Sequence, residues 1–157
     1  MKLFSVRKMA VSLAVTALVL GGFWMKTSPV SAAESKVHKI AVQVNDNDPK
    51  TMNIALNNIA NTQAYYAEKG EAVEIELVAY GPGLHMLRAD SSPVKDRIAA
   101  MALESEHLKF SACANTIAGM TKKEGIAPEI ISEASVVPSG VVRLVELQET
   151  GYAYVKP

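Results

Sequence analysis

The feature that most constrains this chain is a change of period that repeats along it. Short β-branched runs with turn residues at their ends alternate with amphipathic stretches at helical spacing. "KVHKIAVQV", Lys36 to Val44, predicts a strand bounded by Asn45-Asp46-Asn47-Asp48. Asp48 is a good N-cap with Pro49 at the first helical position, and Met52, Ala55, Leu56, Ile59, Ala60, Ala64 and Ala67 then share one face until Gly70 ends the helix. "AVEIELVAY", Ala72 to Tyr80, predicts a second strand, closed by Gly81-Pro82-Gly83. After a loop, Ser92-Pro93 repeats the cap-then-proline start, with Val94, Ile98, Met101 and Ala102 as the inner stripe. "LKFSAC" is the third strand and Asn115 to Lys123 a short helix, with two lysines where they suit its dipole. "ISEASVV" fits a fourth strand. Ser139 caps a last helix with Val141, Leu144 and Val145 inward, and "YAYV" after Gly151 is a fifth strand. Strands alternating with amphipathic helices predict an α/β fold, a parallel or mostly parallel sheet covered on both faces.

The first residues stand outside this pattern. A basic start (Lys2, Arg7, Lys8), an apolar run from Met9 to Trp24 and small residues at Val30-Ser31-Ala32-Ala33 have the layout of a secretory signal peptide. The run is shorter than the roughly 20 residues a membrane span needs. The expectation is therefore a cleavable signal peptide over 1–32, cut after Ala32 or Ala33, one exported domain over 33–157, and no stable membrane span after cleavage. The 16 basic and 16 acidic residues of the whole chain balance. The leader holds only basic ones, so the remainder is mildly acidic, which argues against nucleic acid as a partner. A single cysteine, Cys113, cannot form a disulfide within its own chain.

In sheets of this kind, ligands gather outside the carboxyl ends of the strands. The segments expected there are Asn45-Asp46-Asn47-Asp48, Gly81-Pro82-Gly83-Leu84-His85, Cys113-Ala114-Asn115 and Pro138-Ser139-Gly140. The acidic turn lacks the glycine and bidentate glutamate of a calcium loop. The glycine turn lacks the features of a phosphate or dinucleotide loop. His38, His85 and His107 are scattered without metal-ligand spacing, so neither metal nor cofactor is expected. Only His85 falls at the same end as Cys113. A cysteine where a strand ends and a helix begins meets backbone N–H groups that favour the thiolate, and further activation would need a cation, with His85, Arg88 and Lys109 as candidates. Cysteine is equally common as a small buried hydrophobe, and position alone leaves the two readings level.

The stretches "KIAVQVNDNDPKTMNIALNNIANTQ", "VEIELVAYGPGLHMLRADSSPV", "FSACANT" and "VPSGVVRLVELQETGYAYVKP" resemble the DsrE/DsrF-like family, in particular its exported members. The resemblance covers 33–157. It implies a three-layer α/β/α sandwich around a five-stranded, mainly parallel sheet, assembled as a homo-oligomer, a trimer or hexamer. It also implies sulfur relay, in which a cysteine at the position of Cys113 accepts sulfane sulfur as a persulfide and passes it on. Cys113 is then the nucleophile, Gly81, Gly83, His85, Asn115 and Thr116 its substrate-binding surroundings, and the partner a sulfur donor or acceptor protein or a small sulfane-sulfur compound. The export signal points to the periplasm or another extracytoplasmic site, whereas the relays known in this family serve the cytoplasm. Two other readings stay open: a module that binds a small ligand non-covalently at the same edge, and a structural subunit of an oligomer.

Overall fold

The computed structural model describes residues 36–157. The signal-peptide reading of 1–32 and its cleavage site lie outside the described residues. The described chain forms β1 (Val37–Val44), α1 (Pro49–Glu68), β2 (Ala72–Ala79), a 3-10 helix (Gly81–Leu87), α2 (Lys95–Glu104), β3 (Leu108–Cys113), α3 (Ala114–Glu124), β4 (Ala134–Val137), α4 (Gly140–Glu149) and β5 (Ala153–Val155). One five-stranded sheet runs in the order β4-β3-β2-β1-β5. Every strand pair in it is parallel. No described helix is long and apolar enough to cross a membrane.

Residue alternation along the strands divides the core in two. One face carries Val42, Val44, Ile75, Leu77, Ala79, Leu108, Phe110 and Ala112. Met52, Ala55, Leu56 and Ile59 of α1, Ile98 and Met101 of α2, and Leu84, Met86 and Leu87 of the 3-10 helix cover it, while Ile117 and Met120 of α3 pack at its margin. The opposite face carries Ala41 and Val78, covered by Leu144 and Leu147 of α4. This distribution is the three-layer α/β/α sandwich. Three successive crossovers carry the chain in one direction along the sheet, and the fourth, through α4, returns it to the far side of β1. Right-handed connections place helices of opposite travel on opposite faces.

Local chemistry sets the helix ends. The Asp48 carboxylate accepts from the Lys50 N–H at 3.0 Å and from the Thr51 hydroxyl at 3.1 Å, with Pro49 at the first position. Gly70, Gly125 and Gly151, all at positive φ, stand just past the ends of α1, α3 and α4, where a left-handed residue stops a helix at least cost.

Four expectations need correction. The stretch after β2 is a 3-10 helix rather than a loop, and three of its apolar side chains are buried. Helix α2 begins at Lys95, two residues beyond Pro93, because the Ser92 hydroxyl binds the Met86 carbonyl at 2.5 Å and holds the entry as a turn. The buried stripe of α1 ends at Ile59: Ala60, Ala64 and Ala67 are exposed, and Tyr66 instead stacks on His38. In α4 the inward residues are Gly140, Leu144 and Leu147, while Val141, Val142 and Val145 are each about half exposed. The spacing 140, 144, 147 keeps one face, and the bulkier leucines occupy it.

The α4 layer is also anchored by charge. Glu76, buried on β2, accepts from Arg143 Nη2 at 2.7 Å, Arg143 Nε at 2.8 Å and the Ser111 hydroxyl at 2.6 Å. Burial pushes its carboxyl up, but the hydrogen bonds from Arg143 and Ser111, with the charges of Arg143 and Lys109, outweigh this and hold it below the ordinary glutamate range. A carboxyl depressed on folding stabilises the protein above its unfolded value of about 4.3 and loses that contribution as pH falls through the lower folded value. Arg143→Met should therefore cost about 2–3 kcal/mol at pH 7, below the range for a fully buried pair because the arginine is one-third exposed. Denaturant melts at pH 7 and pH 4 provide the check, with the deficit shrinking at pH 4, where the buried Glu76 that the variant leaves without Arg143 protonates more readily.

Candidate functional site

The parallel register brings the carboxyl ends of β1 to β4 to one edge, and specific contacts knit the segments there together. Ala79 pairs with Ala112, so Tyr80 and Cys113 stand side by side one step further on. The Tyr80 side chain lies against Gly140, where a Cβ would come within 2.9 Å of the Tyr80 Cβ and 3.0 Å of its ring. Gly83 is buried beneath the turn; a Cβ there would meet the Val44 carbonyl oxygen at 2.4 Å, so its smallness serves the close approach of the turn to β1. Gly81, at φ 53°, turns its N–H onto the Thr116 hydroxyl oxygen at 2.9 Å. His85 Nδ1 meets Asn47 Oδ1 at 2.6 Å. Because a carboxamide oxygen only accepts, this bond places a proton on Nδ1, and in the neutral imidazole Nε2 is then the acceptor.

Cys113 is the last residue of β3 and the N-cap of α3, and the residue is 4% exposed. Burial pushes the thiol up. It is opposed by the Thr116 hydroxyl and by the backbone N–H groups of Gly140, Thr116 and Asn115 beside the sulfur, and together they bring it below its ordinary value. Asn115 and Thr116 lie in the first turn of α3, and Gly140 opens α4. Two helix N-termini therefore converge on one sulfur. A helix terminus contributes about 0.3–1 kcal/mol to a nearby anion, and a hydrogen bond to a charged group about 1.5–3 kcal/mol. The discrete donors, Thr116 foremost, set the direction.

None of the three cations considered from sequence supplies this effect. Arg88 is held by Asp90 at 2.7 Å and Glu124 at 2.9 Å. Lys109 acts on Glu76, and His85 is bonded to Asn47. Neutral donors do the stabilising. The Gly140 N–H was the contribution least visible in the sequence; Ser139, whose hydroxyl accepts from the Val142 N–H, fixes it at the first position of α4.

Beside the thiol opens a groove of about 730 Å³ between the 3-10 helix and α3. Gly81, Pro82 and His85 form one wall, Thr116, Gly119 and Met120 the other, and Lys123, Glu124, Asp90 and Arg88 lie toward its far end. Cys113 itself does not line it. Thr116 belongs to both, as a wall of the groove and a donor to the sulfur. Of the residues read from sequence, Gly81, His85 and Thr116 line the groove, Asn115 contributes a backbone N–H to the thiol, and Gly83 is enclosed below the turn. His38, bonded to Glu71 at 2.5 Å, lies near the start of β1, at the opposite end of the sheet. No cluster of three or more His, Cys, Asp or Glu suited to a metal is found among the described residues.

The fold has a solved counterpart. A protein of unknown function from Methanobacterium thermoautotrophicum, MTH1491, is similar at 27% sequence identity and a TM-score of 0.65, over 76% of this chain and 99% of its own. No curated protein matches. The family model described as DsrE/DsrF-like family matches residues 38–157, from the second residue of β1 to the C-terminal proline. On that match, the chain belongs to the DsrE/DsrF-like family.

Proposed function

We propose that this protein binds or transfers sulfane sulfur in the cell envelope, with Cys113 as the acceptor nucleophile. The observation that carries the reading is the placement of a nearly buried Cys113 at the N-termini of α3 and α4, where the Thr116 hydroxyl and backbone N–H groups hold its thiol below the ordinary value. An inert core cysteine in apolar surroundings has the opposite shift. The thiolate attacks the sulfane sulfur of a polysulfide, a small persulfide or a partner protein's persulfide. The S–S bond of the donor breaks, its departing sulfur leaves with the electron pair, and Cys113 becomes a persulfide. The N–H groups of Asn115, Thr116 and Gly140 then offer donors to the anion. Thr116, a wall of the groove beside the sulfur, stands between the thiol and a donor in the groove.

A second reading, a module that binds a small ligand without a covalent step, draws on the 4% exposure of Cys113 and its absence from the groove lining. Thiol chemistry separates the two. Under the sulfur reading, iodoacetamide alkylates the native protein with an apparent pKa below the roughly 8.5 of a free thiol. Thr116→Val raises that value, and Cys113→Ser abolishes the mass gain on polysulfide treatment with the melting curve preserved. Should Cys113 react only after unfolding, the non-covalent module is correct.

Self-association is part of the proposal, with a second copy of this chain seated on the outward valines of α4, Val141, Val142 and Val145. Light scattering should give a trimer or hexamer, and Val142→Glu should lower the mass. A clean monomer for the unsubstituted protein across micromolar concentrations argues against it.

Placement in the cell envelope draws on the basic start and apolar run before Ala33. Mass analysis of the protein from its native host should find Ala33 or Glu34 as the first residue; an intact Met1 in the soluble fraction refutes this.

A further inference from the structure

The groove beside Cys113 has a charge pattern and a wall that the thiol alone does not call for. Arg88 is shared by two carboxylates, bonding Asp90 through Nε and Nη2 and both oxygens of Glu124 through Nη1. One positive charge against two negative ones leaves this triad with a net charge of about −1 at neutral pH, given the ordinary ionisation of these side chains. Lys123, on the same groove, makes no ion pair among the described residues. The groove is thus bipolar and neutral as a whole, which suits neither a nucleotide nor another multiply charged anion.

Its α3 wall points the same way. Gly119 sits in the middle of α3 at a cost of about 1 kcal/mol relative to alanine. No packing demands it: a Cβ there would meet nothing within 4 Å. The space it leaves lies on the groove, between Thr116 and Met120. At about 730 Å³ the groove is in the range of small-molecule sites, roughly 300–1,000 Å³.

We infer that this groove binds a small zwitterionic thiol compound, an amino-acid or dipeptide thiol with one ammonium and one carboxylate, laid over Gly119 with its sulfur toward Thr116. The carboxylate faces Lys123. The ammonium faces the Arg88–Asp90–Glu124 triad, with His85 Nε2 as a further acceptor. Only the transfer step rests on the sulfur-acceptor reading of Cys113. In that step the Cys113 thiolate attacks the outer sulfur of the bound persulfide R–S–SH, the R–S–S bond breaks, and Cys113–S–SH and the thiolate R–S⁻ are the products. No oxidant or reductant is consumed.

The test uses S-methylcysteinylglycine, which has both charges and no transferable sulfur, titrated into the purified protein by calorimetry or NMR. Saturable binding is expected, retained in Cys113→Ser and weakened at least tenfold in Gly119→Leu and in Lys123→Glu. The N-acetyl and C-terminal amide forms of the probe, each lacking one charge, should bind at least tenfold more weakly. Gly119→Leu should also lower sulfur loading from cysteinylglycine persulfide at least tenfold more than loading from inorganic polysulfide. Absence of saturable binding to the unsubstituted protein, or equal binding by Gly119→Leu, overturns the inference. The two readings fail separately: loading from polysulfide without probe binding leaves the sulfur acceptor standing and removes the groove, and probe binding without loading does the reverse.

Discussion

The all-parallel register is the constraint on which the rest depends. Because every strand runs the same way, each connection leaves from one edge and returns to the other, and the chemistry-bearing turns collect at the edge of departure. Val44 ends opposite Ala79, and Ala79 opposite Ala112. That alignment puts the Gly81 turn within reach of Thr116 and lays Tyr80 beside Cys113. A slip of one residue would exchange the two faces of a strand and send Cys113 to the α1 side, away from Gly140.

At Cys113 two effects of burial compete. Removal from water disfavours the thiolate, yet the same enclosure brings four donors close and keeps water from competing with them. The donors prevail, and they do so without a neighbouring cation. A site of this kind is insensitive to ionic strength, since dipoles and hydrogen bonds at contact distance are screened far less than charges across a Debye length of about 8–10 Å.

Much of the architecture was legible in the sequence because the signals were local. Asp48-Pro49, Ser139 and the glycines at 70, 125 and 151 mark helix ends by backbone chemistry that acts within a few residues. The five strands followed from β-branched runs. What escaped depended on partners distant in sequence. Val141 and Val145 satisfy a helical stripe as well as Leu147 does, and only the sheet decides which side is inside. The 3-10 helix at Gly81–Leu87 shows no period of its own, since its leucines and methionine are buried by α1 and the sheet. The position of Cys113 at a strand-to-helix junction could be read directly. The donors that tune it could not all be, because the Gly140 N–H comes from a segment well beyond it in sequence, and the groove exists only where the 3-10 helix meets α3.

The fourth crossover has a kinetic consequence. It carries α4 across the back of the sheet to set β5, the last strand, against β1, the first described one. β1 is therefore completed on its outer side by Ala153–Val155, more than a hundred residues further along the sequence. Pairings between the two ends of a chain bear the largest loop-closure entropy and form slowly. While the chain is being made, β1 to β4 can align before β5 exists, but the side of β1 stays open and α4 has no strand to return to. Closure of the sheet, and with it the seating of Gly140 over the thiol, waits for β5 to pair with β1.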